Sequence, residues 1–189
     1  GIDFSLVIEG SGILVSGWML DPDRAVETVM LRVGGEAVRI DDRWTRQSRP
    51  DVTNAFLNDP MFSGLNPARN SHGFLVFCPL EDTPSSDQPV YLELAISDAF
   101  PAYSPLNPTR ASARQALSRV LPSLDPRSVT ASNSIERQFG PMLQNMTAQS
   151  PFAIDTHDIG NFDEDAPVTL IVGVDDTISD IGVTIALLG

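Results

Sequence analysis

The sequence contains no lysine: all 12 basic residues are arginine, set against 25 acidic ones, for a formal net charge of −13. That absence removes Schiff-base and lysine general-base mechanisms. It also leaves no basic footprint for nucleic acid, and an anionic membrane surface would repel so acidic a chain. A single cysteine, Cys78, excludes an internal disulfide. The only histidines are His72 and His157. A two-histidine zinc site would need both of them plus carboxylates, so no metal ligand is assigned. No apolar run approaches the roughly 18–20 residues that span a membrane. The opening GIDFSLVIEG has no basic segment and no cleavage-like site, so no signal peptide is expected and the location is expected to be cytoplasmic. There is no Gly-x-Ser-x-Gly elbow, no phosphate-cradling glycine loop and no Cys–His pairing in a supporting motif. The expectation is a chain with no catalytic residue, no metal and no cofactor.

What is present is a soluble-type composition, 42% apolar over 189 residues, enough for one good core or a domain with appendages. From Asp3 to Ser97 the signals are those of β structure. Phe4, Leu6 and Ile8 alternate with polar neighbours, and GILVSGWML (12–20) and ETVMLRV (27–33) follow across the turn-forming Asp21-Pro22-Asp23. Gly34-Gly35 links 27–33 to EAVRI (36–40) as a two-residue hairpin. GFLVFCPL (73–80) and PVYLELAIS (89–97) complete six strands, expected to be antiparallel throughout and to form an immunoglobulin-like β-sandwich over 1–106. A short helix is expected near Pro50–Leu57, with Pro50 in its first turn and Asp51 at its N-terminus. Trp18 shares strand parity with Leu14 and Leu20 and is expected to be largely buried.

Past Asp98 the character changes. AFPAYSPLNPTR reads as an extended strap. A two-helix extension over 107–152 then presents Ala113, Leu117, Val120 and Leu121, followed by Ile135, Phe139, Met142, Leu143 and Met146, with a kink at Gly140-Pro141. Residues 153–167 form an acidic linker. The spacing Asp155, His157, Ile159, Gly160 fails the calcium-loop pattern at its third ligand. The β-branched run Val168–Val172 reads as a strand buried on both faces, and Ile181, Ile185 and Leu188 read as one face of a helix over 179–188. Cys78 alternates with Phe74 and Val76 and reads as a small buried hydrophobe. The Asn145-Met-Thr147 triplet matches a glycosylation sequon but falls in the second helix. Trp18, Trp44 and Tyr91 are candidates for a sugar-stacking platform, with Trp44 and Tyr91 as the carbohydrate-binding residues.

Taken in order, Gly17, Trp18, Asp21, Arg49, Asp51, Val52, Gly73 and Phe74 resemble a β-sandwich module found ahead of some bacterial family 2 glycosyltransferase domains. That module has a Gly-Trp-x-x-Asp start, a small hairpin, an Arg-x-Asp-Val motif and a Gly-Phe strand. The stretch APVTLIVGVDDTISDIGVTIALL (166–188) resembles the entry strand and first helix of the catalytic fold. The resemblance implies a noncatalytic accessory module that positions a downstream glycosyltransferase domain of the same polypeptide, or its glycan acceptor. It also implies that 168–189 is the truncated start of that α/β domain, with donor and metal ligands beyond it. Asp175-Asp176 is not assigned to the family's Asp-x-Asp. Two further readings are a carbohydrate-binding module using an aromatic and acidic sheet face, and a structural dimerisation domain. A homodimer is expected to form through residues 168–189.

Overall fold

The computed structural model of the protein describes residues 1–85, 87–149, 168–172 and 183–187. Gly1–Gln149 forms one compact unit, and Ser150–Gly189 is a second.

The first unit is mainly β and built on two sheets. Strands β1 (Ile2–Ile8) and β2 (Gly12–Trp18) form a hairpin, as do β3 (Val26–Val33) and β4 (Glu36–Arg39), the latter turning at Gly34 with φ 55°. Next come β5 (Thr45–Gln47), α1 (Pro50–Phe56), β6 (Gly73–Pro79), β7 (Val90–Ile96), β8 (Ala102–Leu106) and β9 (Thr109–Ala111). One sheet has the order β5-β6-β2-β1-β9 and the other β4-β3-β7-β8. The six strands read from the sequence are all present. The chain 101–111, read as a strap, instead supplies two edge strands. Its prolines are compatible with that, because an edge strand can spare one N–H. The pairing is not antiparallel throughout: β9 runs parallel to β1, with Leu6, Val7 and Ile8 opposite Thr109, Arg110 and Ala111. This follows because the chain crosses from one sheet to the other at 107–108 rather than reversing beside its neighbour.

The sheets pack face to face. Val7, Ile13, Val15, Phe74, Val76 and Cys78 of the first sheet meet Val29, Leu31, Val33, Val90, Leu92 and Leu106 of the second. Parity sends the alternate residues Leu6, Ile8, Leu14, Leu75 and Phe77 to the other face of the first sheet. There they are covered by helices α2 (Ala113–Val120) and α4 (Gly140–Gln149) and by the turn that joins α4 to α3 (Val129–Ser134), through Ala113, Ala116, Val120, Phe139 and Met142. The five-stranded sheet is thus buried on both sides, which is why 12–15 and 74–78 are continuously apolar rather than alternating.

The helical layer differs from the sequence reading in detail. Ile135–Phe139 forms a π-helical turn between α3 and α4. Its extra residue shifts the phase of the apolar stripe, so Phe139 and Met142 are buried while Ile135 is 54% exposed. The wider turn sits just before Pro141, whose ring and missing N–H a regular α-helix would not accept. Leu121 is likewise exposed, because α2 gives way to a 3₁₀ turn at Leu121–Ser123.

In the second unit, β10 (Val168–Val172) pairs antiparallel with β11 (Val183–Leu187). The helix expected over 179–188 is therefore corrected at 183–187, where the chain is a strand antiparallel to β10. Val183, Thr184 and Ile185 are β-branched, and that preference outweighs the helical spacing of Ile181, Ile185 and Leu188. The acidic segment 155–165, including His157, lies outside the described residues, as do Asp175 and Asp176.

Candidate functional site

The residues of the Gly-Trp, Arg-x-Asp-Val and Gly-Phe motifs meet at one end of the five-stranded sheet. In the β2–β6 register Gly17 lies opposite Phe74 and Trp18 opposite Gly73, so each glycine faces an aromatic residue across the ladder. Both glycines are sites of close approach. A Cβ on Gly17 would lie 2.9 Å from Phe74 Cζ, and one on Gly73 would lie 2.8 Å from Arg49 Cγ and 3.0 Å from Gln47 Cβ. Arg49 grips Asp51 with Nε and Nη2 at 2.9 and 2.8 Å, and reaches back to Asp3 on β1 with Nη1 at 2.6 Å. The Arg49 hydrogen bond holds the Asp51 carboxyl below its ordinary value. Asp51 is thus an ion-pair partner rather than the helix cap: Arg49 occupies the cap position without a side-chain cap bond. Asp21 closes the turn after β2 by accepting from the Ala25 and Val26 N–H groups at 2.8 and 3.1 Å. Each of these residues has a local structural task.

Trp18 is mostly covered, in line with its strand parity, but it is not one of the fully buried core residues. It sits at the end of β2, outside both core clusters, and packs on Phe56 of α1 with ring centroids 5.3 Å apart. Trp44 stacks on Phe74 at 5.1 Å, with the Arg46 guanidinium 5.0 Å from its ring centroid. Trp18 and Trp44 line a cavity of about 200 Å³ together with Phe62 and Phe74. Tyr91 is elsewhere, so the three aromatics do not form one platform. Cys78 is fully buried, and burial pushes its thiol up to about 12, far from a reactive thiolate. Asn145 donates to the Ser11 carbonyl, which uses its amide inside the fold. Among the described residues no group of three or more His, Cys, Asp or Glu side chains is placed to hold a metal ion.

Tyr91 stands on the outer face of the four-stranded sheet. The register places Arg32, Tyr91 and Pro105 in one row across β3, β7 and β8, and Met30, Glu93 and Tyr103 in the next. Contacts then run diagonally between rows. Arg32 Nε donates to Glu93 Oε2 at 2.8 Å, and this bond raises the Arg32 pKa despite some desolvation. The Tyr91 and Tyr103 rings meet edge-to-face, 5.8 Å apart at 67°. Tyr103 is 60% exposed.

Beside the tyrosines lies a groove of about 990 Å³, lined by both rings, by Pro84, Pro89, Pro105 and Pro108, and by Gln88, Asn107, Thr109 and Arg110. Two of its walls are fixed. Gln88 Oε1 accepts from the Ser85 N–H at 2.9 Å, and Arg110 Nη1 donates to Glu9 Oε1 at 2.7 Å. The side chains of Tyr91, Tyr103, Asn107 and Thr109 make no hydrogen bond to any described residue, leaving their hydroxyls and amide to the groove. The sequence singled out Tyr91 but not Tyr103, Asn107 or Thr109. Their signal was present as the outward parity of Tyr103 and Pro105 beside inward Ser104 and Leu106, hidden by the proline content. No family model, curated protein or solved structure matches the chain.

Proposed function

We propose that this protein is a noncatalytic carbohydrate-recognition module, a variant of the immunoglobulin-like sandwich, accessory to a glycosyltransferase and holding its glycan acceptor. The observation that supports the reading is the Tyr91–Tyr103 pair on a rigid sheet face, next to a groove whose hydroxyl and amide groups are uncommitted. Sugar rings present an apolar face with hydroxyls at the rim. A tyrosine supplies an apolar ring with a polar tip, which suits that alternation. The motif order Gly17-Trp18, Arg49-x-Asp51-Val52, Gly73-Phe74 supports the link to a glycosyltransferase. Calorimetric titration of the full chain with a panel of oligosaccharides tests the reading. Saturable binding that is lost in Tyr103→Ala supports it. A panel that binds nowhere, or binds equally well to Tyr103→Ala, removes it.

A homodimer through 168–189 is a second reading. It is favoured by the β10–β11 pair, each strand of which is hydrogen-bonded on one side only among the described residues. Such edges recruit another strand. Deleting 167–189 should then convert a dimer to a monomer in size-exclusion with light scattering, and an unchanged mass would place the interface elsewhere.

A further inference from the structure

Resting on the carbohydrate reading, we infer that the Tyr91–Tyr103 groove selects neutral glycan chains and rejects uronates, sulfated sugars and other polyanions. The charge arrangement carries this. Arg110 is the single cation among the described lining residues, and its Nη1 is already bonded to Glu9. On the adjoining sheet face Arg32 is bonded to Glu93. An anion at either guanidinium would have to share it with a carboxylate that stays close by and repels the newcomer. The whole chain adds to this with its net charge of −13.

The uncommitted groups are of another kind. Hydroxyls of Tyr91, Tyr103 and Thr109 both donate and accept, and the Asn107 amide does the same through its two ends. That mixture matches sugar hydroxyls, which also donate and accept; an anion offers acceptors only. A groove of about 990 Å³ stands at the upper end of the roughly 300–1,000 Å³ usual for small-ligand pockets, so it has room for more than one ring. Pro84, Pro89, Pro105 and Pro108 stiffen its walls, which lowers the ordering cost of binding a flexible chain.

The test titrates the full chain with neutral gluco- and manno-oligosaccharides and with oligogalacturonate, at low and at high salt. The neutral series should bind, with affinity insensitive to salt. Tyr103→Ala should weaken it about tenfold or more, the effect of removing a central aromatic anchor. Tyr103→Phe, which keeps the ring and the fold, should cost less, and Asn107→Ala should weaken binding while leaving the near-UV spectrum unchanged. The double variant Glu9→Gln/Glu93→Gln releases both arginines and should gain salt-sensitive binding of oligogalacturonate. Oligogalacturonate binding by the wild type, weakened by salt, would overturn the neutral preference and leave the carbohydrate reading standing. Binding of a proline-rich peptide in place of every glycan, or of no probe at all, would overturn both.

Discussion

Gln138 is a fully buried polar side chain with every polar atom engaged. Its Nε2 donates to the Arg43 carbonyl and to Thr45 Oγ1, each at 2.9 Å, and its Oε1 accepts from the Phe77 N–H at 2.7 Å. The last bond does the work of a missing strand. β5 pairs with β6 only over residues 73–75, so beyond Leu75 that edge of β6 is open, and Gln138 seals it from the helical layer. The π turn brings this about, since Gln138 and Phe139 are both buried there. Gln138→Leu keeps the volume but orphans Phe77 N–H and the Arg43 carbonyl in an apolar setting. Three lost bonds at about 1 kcal/mol each give a destabilisation of about 3 kcal/mol. With a urea m-value of about 2 kcal/mol/M, the midpoint should fall by about 1.5 M. Gln138→Glu keeps the acceptor for Phe77 but not the donors, and it buries a charge, so it should be at least as damaging. Equilibrium urea unfolding followed by far-UV circular dichroism reads all of this. A midpoint in Gln138→Leu unchanged within about 0.3 M would refute the claim that this side chain closes the sheet edge.

Gly73→Ala should cost about 1–3 kcal/mol, because its Cβ would lie 2.8 Å from Arg49 Cγ, and thermal unfolding would show it. Asp51→Ala should cost no more than about 1 kcal/mol, since the Asp51 side chain is 63% exposed and Arg49 keeps Asp3; a larger loss would mean that Asp51 does more than pair. Asp41 supplies a pH dependence. Burial raises its carboxyl pKa, but hydrogen bonds from Arg39 and the Val29 N–H outweigh this and leave it below the ordinary value of about 3.9. Its stabilising contribution is therefore full above that value and is lost as pH falls through the folded pKa. Asp41→Asn should flatten the acid limb of the stability profile, and a limb of unchanged slope would assign it to other carboxylates. UDP-sugars with manganese should give no saturable heat with the wild-type chain, whereas micromolar, metal-dependent binding would point to a donor site.

The strands with clear alternation or turn chemistry were legible in the sequence. Val90, Leu92 and Leu94 against Tyr91 and Glu93 fixed both faces of β7, and Gly34-Gly35 marked the β3–β4 hairpin. The helical layer's attachment was less visible, although the continuous runs at 12–15 and 74–78 carry the mark of a sheet covered on both sides. β8 and β9 escaped because three prolines between 101 and 108 imitate a strap, and an edge strand tolerates them. A local π turn cannot be read from spacing, which is why Ile135 was placed in the core. At 183–187 helical periodicity and β-branching gave opposite answers, and pairing with 168–172 decided between them. Of the candidate site only Tyr91 was visible, since Tyr103, Asn107 and Thr109 reach it through the sheet-to-sheet crossing rather than through sequence proximity.

The claim that matters most is that the outer face at Tyr91 and Tyr103 recognises carbohydrate. Two-dimensional NMR of the full chain, titrated with a neutral oligosaccharide, locates the contact residue by residue. The account predicts concentration-dependent shifts in the aromatic signals of Tyr91 and Tyr103 and in the amides of 105–110, with Trp18 and Trp44 unmoved. Shifts centred on the two tryptophans, or a spectrum that does not change at millimolar sugar, would contradict it.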